Sequence, residues 1–163
     1  MAIATQTSTS RHDLYVLLIF DGLYLLIPQD DVESVEIVSD IRHDYTMDNG
    51  VIGWFNRHGY EAEVPIFCLS GDLLLSPDVP ESREYFVLLK TAEHSIGILC
   101  DEVENLNLKL QNLWIQPMPA IMQSPISPMS GLVIYQDLIA GVCRGVALTT
   151  YILKLAEAFG KAF

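Results

Sequence analysis

The chain has 163 residues, half of them hydrophobic, and carries 21 acidic against 9 basic side chains for a formal net charge of −12. That length suits one domain or two small lobes sharing a core, and so acidic a chain makes a nucleic acid a poor partner, because phosphate binding is driven by Lys and Arg. The longest apolar runs, such as Leu23 to Ile27 and Ile96 to Cys100, fall far short of the about 20 residues that span a bilayer, so no direct membrane insertion is expected.

Met1 to Ser10 is rich in Thr and Ser, with neither a cationic start nor an apolar stretch. Residues 1–12 are therefore expected to be a disordered lead-in, not a secretion signal, with a single domain from 13 to 163. Leu14 to Phe20, Asp21-Gly22 and Leu23 to Pro28 read as strand, two-residue turn and strand, the strongest short-range hairpin signal. Both strands are almost continuously apolar, which predicts burial on both faces or a second layer against one of them. Gln29 to Asp31 can form one helical turn. Val32 to Val38 alternates Val32, Val35 and Ile37 with Glu33 and Glu36, as a half-buried strand does, and Asp40 to Gly50 is a polar loop.

Gly53 to Leu69 predicts a second hairpin. Trp54 and Phe55 are strand formers, Asn56, Arg57, His58 and Gly59 give a turn, and Val64 to Leu69 resumes the strand. Pro65 lacks an N–H to donate, so its strand is expected at an edge or at the start of a bend. Gly71 to Leu75 is compatible with one turn of helix. The segment 76–83, with Pro77 and Pro80, reads as a surface connection and as the boundary between two lobes. Glu84 to Lys90 and Ser95 to Cys100 form a third hairpin, followed by an acidic strand from Asp101 to Leu108. Two such halves suggest two similar small barrels.

Pro117, Pro119, Pro125 and Pro128 exclude a helix interior or a central strand between Gln116 and Ser130, leaving an extended loop. Its Met118, Met122 and Met129 fit either an adaptable contact surface or a cover over a barrel mouth. Leu132 to Tyr135 and Leu138 to Cys143 make a hairpin, and Val146 to Thr149 a last strand. A helix at about 151–162 follows, capped by Thr150. Its residues Ile152, Leu155, Ala156, Phe159 and Phe163 share a face that should pack on a barrel.

No motif of catalysis is present: no G-x-S-x-G, no phosphate-cradling glycine loop, no H-E-x-x-H and no C-x-x-C. The three cysteines, Cys68, Cys100 and Cys143, are far apart. Their odd number fits a reducing cytoplasm, and they read as buried small hydrophobes. His43 and His58 with Cys68 or Asp44 offer acceptable metal ligands in a spacing that does not demand one, and solvated loop histidines are the plainer reading; no metal or cofactor is expected. Asp101, Glu102 and Glu104 form an acidic strand start. They suit either an acid–base pair, with His94 as a third group, or an edge guarded against aggregation, and alternation favours the guard. Arg57 and His58 at a hairpin tip are either solvated or presented to a partner's carboxylates.

Taken in order, Gly53-Trp54-Phe55-Asn56-Arg57-His58-Gly59, Val64-Pro65-Ile66 and Gly97-Ile98-Leu99-Cys100-Asp101-Glu102-Val103 resemble the CheW-like domains, adaptor modules of bacterial chemosensory arrays, over about Leu14 to Leu153. The resemblance implies an all-β fold of two intertwined five-stranded barrels with a C-terminal helix. It also implies a non-catalytic coupling of chemoreceptor cytoplasmic tips to the regulatory domain of a CheA-type histidine kinase. Carried over by position, the partner-binding residues are Asn56, Arg57, His58 and Gly59, with Val64, Asp101 and Glu102 beside them and an apolar groove between the barrels as a further contact. His58 stands where the family usually has Arg, Arg57 where an apolar residue is usual, and Cys68 where Asp precedes Leu69. Those departures suggest an accessory member, for instance of a pilus-motility pathway. The rival from another class is a small-ligand-binding barrel with Trp54 and Tyr60 lining its pocket.

Overall fold

A hairpin buried on both faces follows a 3-10 turn at Arg11–Asp13. The computed structural model describes residues 11–46, 48–57, 62–91, 95–123 and 127–161. In it β1 (Leu14–Phe20) pairs antiparallel with β2 (Leu23–Pro28) through Asp21-Gly22. Both turn residues have positive φ, 51° and 78°, the backbone of a tight hairpin turn matched to strand twist. Alternate side chains of this hairpin serve two cores, which is why its sequence is apolar without a break. Tyr15, Leu17 and Leu26 face one cluster, and Val16, Leu18, Phe20, Leu25 and Ile27 face another.

The remaining strands are β3 (Val32–Ile37), β4 (Arg42–His43), β5 (Val51–Asn56), β6 (Glu63–Phe67), β7 (Tyr85–Leu89), β8 (Ile96–Cys100), β9 (Glu102–Asn107), β10 (Gln116–Pro117), β11 (Gly131–Tyr135) and β12 (Leu138–Val142), and the helix α1 spans Gly145–Lys161. They make two sheets. The first has the order β10-β11-β12-β2-β1-β9 and the second β3-β7-β8-β6-β5-β4. In each, the two edge strands are consecutive in the chain, so both sheets must curl for the connection to reach. Five long strands and one two-residue strand form each lobe, matching the expected pair of five-stranded lobes. Arg57, just after β5, bonds Glu33 on β3 at the far edge of the same sheet, a contact that a flat sheet would forbid.

The lobes are intertwined. The chain builds β1 and β2, leaves through a 3-10 turn at Gln29–Asp31, completes the whole second sheet, and returns at Asp101. The segment 76–83, expected to separate the lobes, instead joins β6 to β7 inside the second sheet. Pro and Ser mark a surface connection but not which sheet receives the next strand. The strand containing Pro65 is interior, between β8 and β5, yet its parallel pairing with β8 starts only at Ile66. The proline thus sits where one side of the strand has no ladder, which is the exception a missing N–H requires. Gly71 to Leu75 is not helical: it is a turn closed by a bridge between Leu69 and Leu75.

Three apolar clusters hold the fold. One fills the first lobe and one the second. The largest lies between the sheets, combining Phe20, Leu25 and Ile27 with Phe67, Leu69, Val87 and Ile98 and with Leu148, Ile152 and Ala156 of α1. Each fully buried Leu, Ile or Phe contributes about 1.5–3 kcal/mol relative to exposure, so this shared interface cannot open without a large loss.

Helix α1 begins earlier than the sequence predicts, and Val146 to Thr149, expected as a strand, form its first turn. The reason is a cap brought from elsewhere. Asp31 Oδ2 accepts the Gly145 N–H at 2.8 Å and Arg144 Nε at 2.9 Å, and Arg144 Nη2 reaches Oδ1 at 3.3 Å. A carboxylate at a helix N-terminus satisfies an orphan donor and the dipole together, which outweighs the modest helix reluctance of Val and Thr. Thr150 accordingly lies inside the helix, not at its cap.

Candidate functional site

The β5–β6 hairpin carries the residues the sequence singles out, and the structure gives them unequal roles. Asn56, the last residue of β5, is exposed and stands opposite Glu63. Arg57 Nη1 lies 2.7 Å from Glu33 Oε1, with the two side chains only 19% and 29% exposed, so this cation is engaged within the lobe. Arg42 holds Glu63 with two nearly parallel bonds, Nε at 3.1 Å and Nη2 at 2.7 Å. Its guanidinium keeps the Glu63 carboxyl below the usual range. His58, Gly59 and Tyr60 lie outside the described residues, as does His94.

Val64 is 2% exposed and packs with Ile41, Ile52, Ile66, Phe86 and Leu88. Inward-facing positions of β6 fall on Val64 and Ile66, so Val64 supports the hairpin from inside and offers no surface to a partner. Asp101 is turned inward too, its carboxylate 3.1 Å from buried Arg83 Nε. Glu102 and Glu104 are exposed along β9, at the open edge of the first sheet, where like charges discourage strand-to-strand aggregation. The residues proposed as an acid–base pair therefore face apart.

Among the described residues no group of three His, Cys, Asp or Glu side chains is placed to hold a metal ion. His43 stacks on Tyr45 with ring centroids 6.2 Å apart, and Asp44 accepts Trp54 Nε1 at 2.9 Å. Trp54 packs against the core between the sheets and not into the second lobe's interior, which is filled by its own side chains. All three cysteines are buried and unpaired with one another. Burial pushes the thiols up, Cys143 to about 12 and Cys100 higher still. Cys68 is also raised by burial, although Arg83 pulls the other way.

A groove that sequence reading did not assign to residues runs along α1. It encloses about 520 Å³ and is lined by Leu74, Pro128, Val146, Ala147, Tyr151 and Leu155. Leu74 is 56% and Val146 62% exposed, unusually open for branched aliphatics on one concave surface. One wall is the turn after β6 of the second lobe, the other the helix that follows β12 of the first, so it is an inter-lobe groove. Tyr151 Oη donates to the Leu73 carbonyl at 2.7 Å and pins the two walls, and burial pushes its phenol up. Reading Val146 to Thr149 as a strand hid this face. The repeat Leu148, Ile152, Ala156 marks the helix's buried core face, and once the helix is started there, Val146, Ala147, Tyr151 and Leu155 fall on the face beside it. Two further large apolar side chains are exposed, Trp114 at 68% and Ile121 at 94%, within a stretch, 108–143, whose only charged residues are Lys109 and Asp137.

No helix among the described residues is long and apolar enough to cross a membrane. A family model described as CheW-like domain matches residues 15–149. Among solved structures the chain is similar to the scaffolding protein TtCheW from Thermoanaerobacter tengcongensis, with a TM-score of 0.62 and 14% identity over 80% of this chain and 88% of that one. At that identity the likeness is one of fold. No curated protein matches the chain.

Proposed function

The chain belongs to the CheW-like domain family, and from that premise we propose that it is a non-catalytic scaffold of a bacterial chemosensory pathway, working in the cytoplasm. In this reading it binds the regulatory domain of a CheA-type histidine kinase and the cytoplasmic tip of a chemoreceptor. The observation that carries the reading is the family match across both lobes, 15–149. Holding receptor and kinase in one geometry shifts the kinase between states by differential binding alone.

The groove along α1 is the contact we favour over the β5–β6 turn. It is apolar, concave and exposed, which suits the apolar face of a partner helix, whereas Arg57 is already held by Glu33. The test is isothermal titration against the CheA-type regulatory domain and against a receptor-tip peptide, using wild type, Val146→Glu and Arg57→Glu plus His58→Glu. Saturable binding lost at least tenfold in Val146→Glu supports the groove. Loss confined to the double variant moves the contact to the turn. Absence of binding at about 100 µM, where even weak complexes register, refutes the coupling role.

A further inference from the structure

At the corner where the chain returns from the second lobe to the first, a guanidinium is buried. Arg83 is 3% exposed. Its Nη2 donates to the Leu69 carbonyl at 2.8 Å, and Nη1 meets Cys68 Sγ at 3.2 Å and the Leu99 carbonyl at 3.5 Å, all at the ends of second-lobe strands. The same guanidinium lies 5.0 Å over the ring of Phe20, the last residue of β1 in the first lobe. Nε stands 3.1 Å from Asp101 Oδ1 but is not aligned for a hydrogen bond, so the attraction is coulombic.

Asp101 extends the connection. It accepts Ser82 Oγ at 2.8 Å and the Asp21 N–H at 3.3 Å, and its own N–H donates to the Ile19 carbonyl at 2.9 Å. Asp21, in the β1–β2 turn, accepts the Gly71 N–H of the second lobe at 2.8 Å. A Cβ added at Gly71 would sit 2.6 Å from the Asp21 carbonyl oxygen, so the two lobes touch backbone to backbone here.

We infer that Arg83 is a positioning residue that fixes the angle between the two lobes. The core between the sheets is apolar, and apolar contact has no preferred direction; packed layers can slide by small shear steps without losing burial. A planar guanidinium has fixed donor directions: here they anchor it to second-lobe groups, Cys68, Leu69 and Leu99, while its face lies on Phe20 of the first lobe and its charge on Asp101, at the crossing between them. The lock holds as a unit, since removing Asp101 leaves a buried cation uncompensated. The consequence rests on the scaffold reading: the groove along α1 has one wall from each lobe, so the shape it presents to a partner follows the angle Arg83 sets.

The experiment is measurement of residual dipolar couplings on the isotopically labelled protein, with no partner present. In wild type, couplings from both sheets should fit one alignment tensor. In Asp101→Asn, which keeps the side chain's size, and in Arg83→Met, each sheet should remain hydrogen-exchange protected while the two require separate tensors. Arg83→Lys, which retains the ion pair without the fork, should restore a common tensor in part. A single unchanged tensor in Asp101→Asn, whatever its loss of stability, would show that the other contacts between the lobes set the angle without this ion pair and overturn the inference. That outcome would leave the scaffold reading standing, because no partner enters the measurement.

Discussion

Replacing Asp31 by Ala tests whether α1 owes its early start to a side chain from 114 positions upstream. The variant loses the bond to the Gly145 N–H and the charge facing the helix dipole, together about 0.5–2 kcal/mol for N-cap truncation. It also loses the Arg144 pair. Because that guanidinium is 63% exposed, solvent screening limits its share to about 0.2–1 kcal/mol. The expected loss is therefore about 0.7–3 kcal/mol. With a urea dependence of about 2 kcal/mol/M for a small domain, the midpoint should fall by about 0.35–1.5 M. The assay is urea unfolding followed by far-ultraviolet circular dichroism and by tryptophan fluorescence. Asp31→Asn should retain part of the effect and Arg144→Ala should cost less than Asp31→Ala. Burial works to raise the Asp31 carboxyl, but the Arg144 and Gly145 bonds outweigh it and hold it below the usual value. A depressed carboxylate stabilises the fold above its unfolded pKa near 4 and loses that contribution as pH falls through the folded value. The gap between wild type and Asp31→Asn should accordingly close in acid. An Asp31→Ala midpoint within about 0.2 M of wild type, a bound below the expected shift, would refute the remote cap.

Two further outcomes follow from burial. Val64→Asp places a carboxylate in the second lobe's core and should cost more than about 3 kcal/mol, enough to unfold much of the population, as circular dichroism will show. A soluble, fully folded Val64→Asp would put Val64 back on the surface. The thiols of Cys68, Cys100 and Cys143 are buried with pKa pushed up, so a chromogenic disulfide reagent at pH 8 should titrate none of them rapidly in the native protein and all three in denaturant. Fast reaction of one thiol in the folded state contradicts that packing.

Much of the fold is legible in local pattern. The Asp21-Gly22 turn and the apolar run of β8 each depend on near neighbours, and the ordered fragments around Trp54 and Asp101 carry the family; β3 was legible as a strand but not in its faces, since Val35 and Ile37, expected inward, are 44% and 51% exposed beyond a register shift at Val32 to Ser34. What was not legible depends on partners distant in sequence. Val146 to Thr149 looks like a strand until Asp31 is brought to Gly145. The segment 76–83 looks like a lobe boundary until β7 is seen to pair with β3 and β8. Of the residues carried over as contacts, Asn56 and Glu102 are exposed, while Val64 and Asp101 turn inward because alternation along β6 and the pull of Arg83 decide their direction. The groove residues were missed together, since Leu74, Pro128 and Val146 share a surface only after both lobes are in place.

The order in which strands are laid into the sheets has a consequence during synthesis. β1 and β2 leave the ribosome as a hairpin greasy on both sides, yet their lateral neighbours β9 and β12 are translated about 80 to 110 residues later. The second sheet, by contrast, is contiguous from 32 to 100 and can close first. The nascent chain must then keep its opening hairpin covered, against the second sheet's face or by a chaperone, until its last strands arrive. Slowing elongation late in the message should consequently raise aggregation more than slowing it within the second sheet.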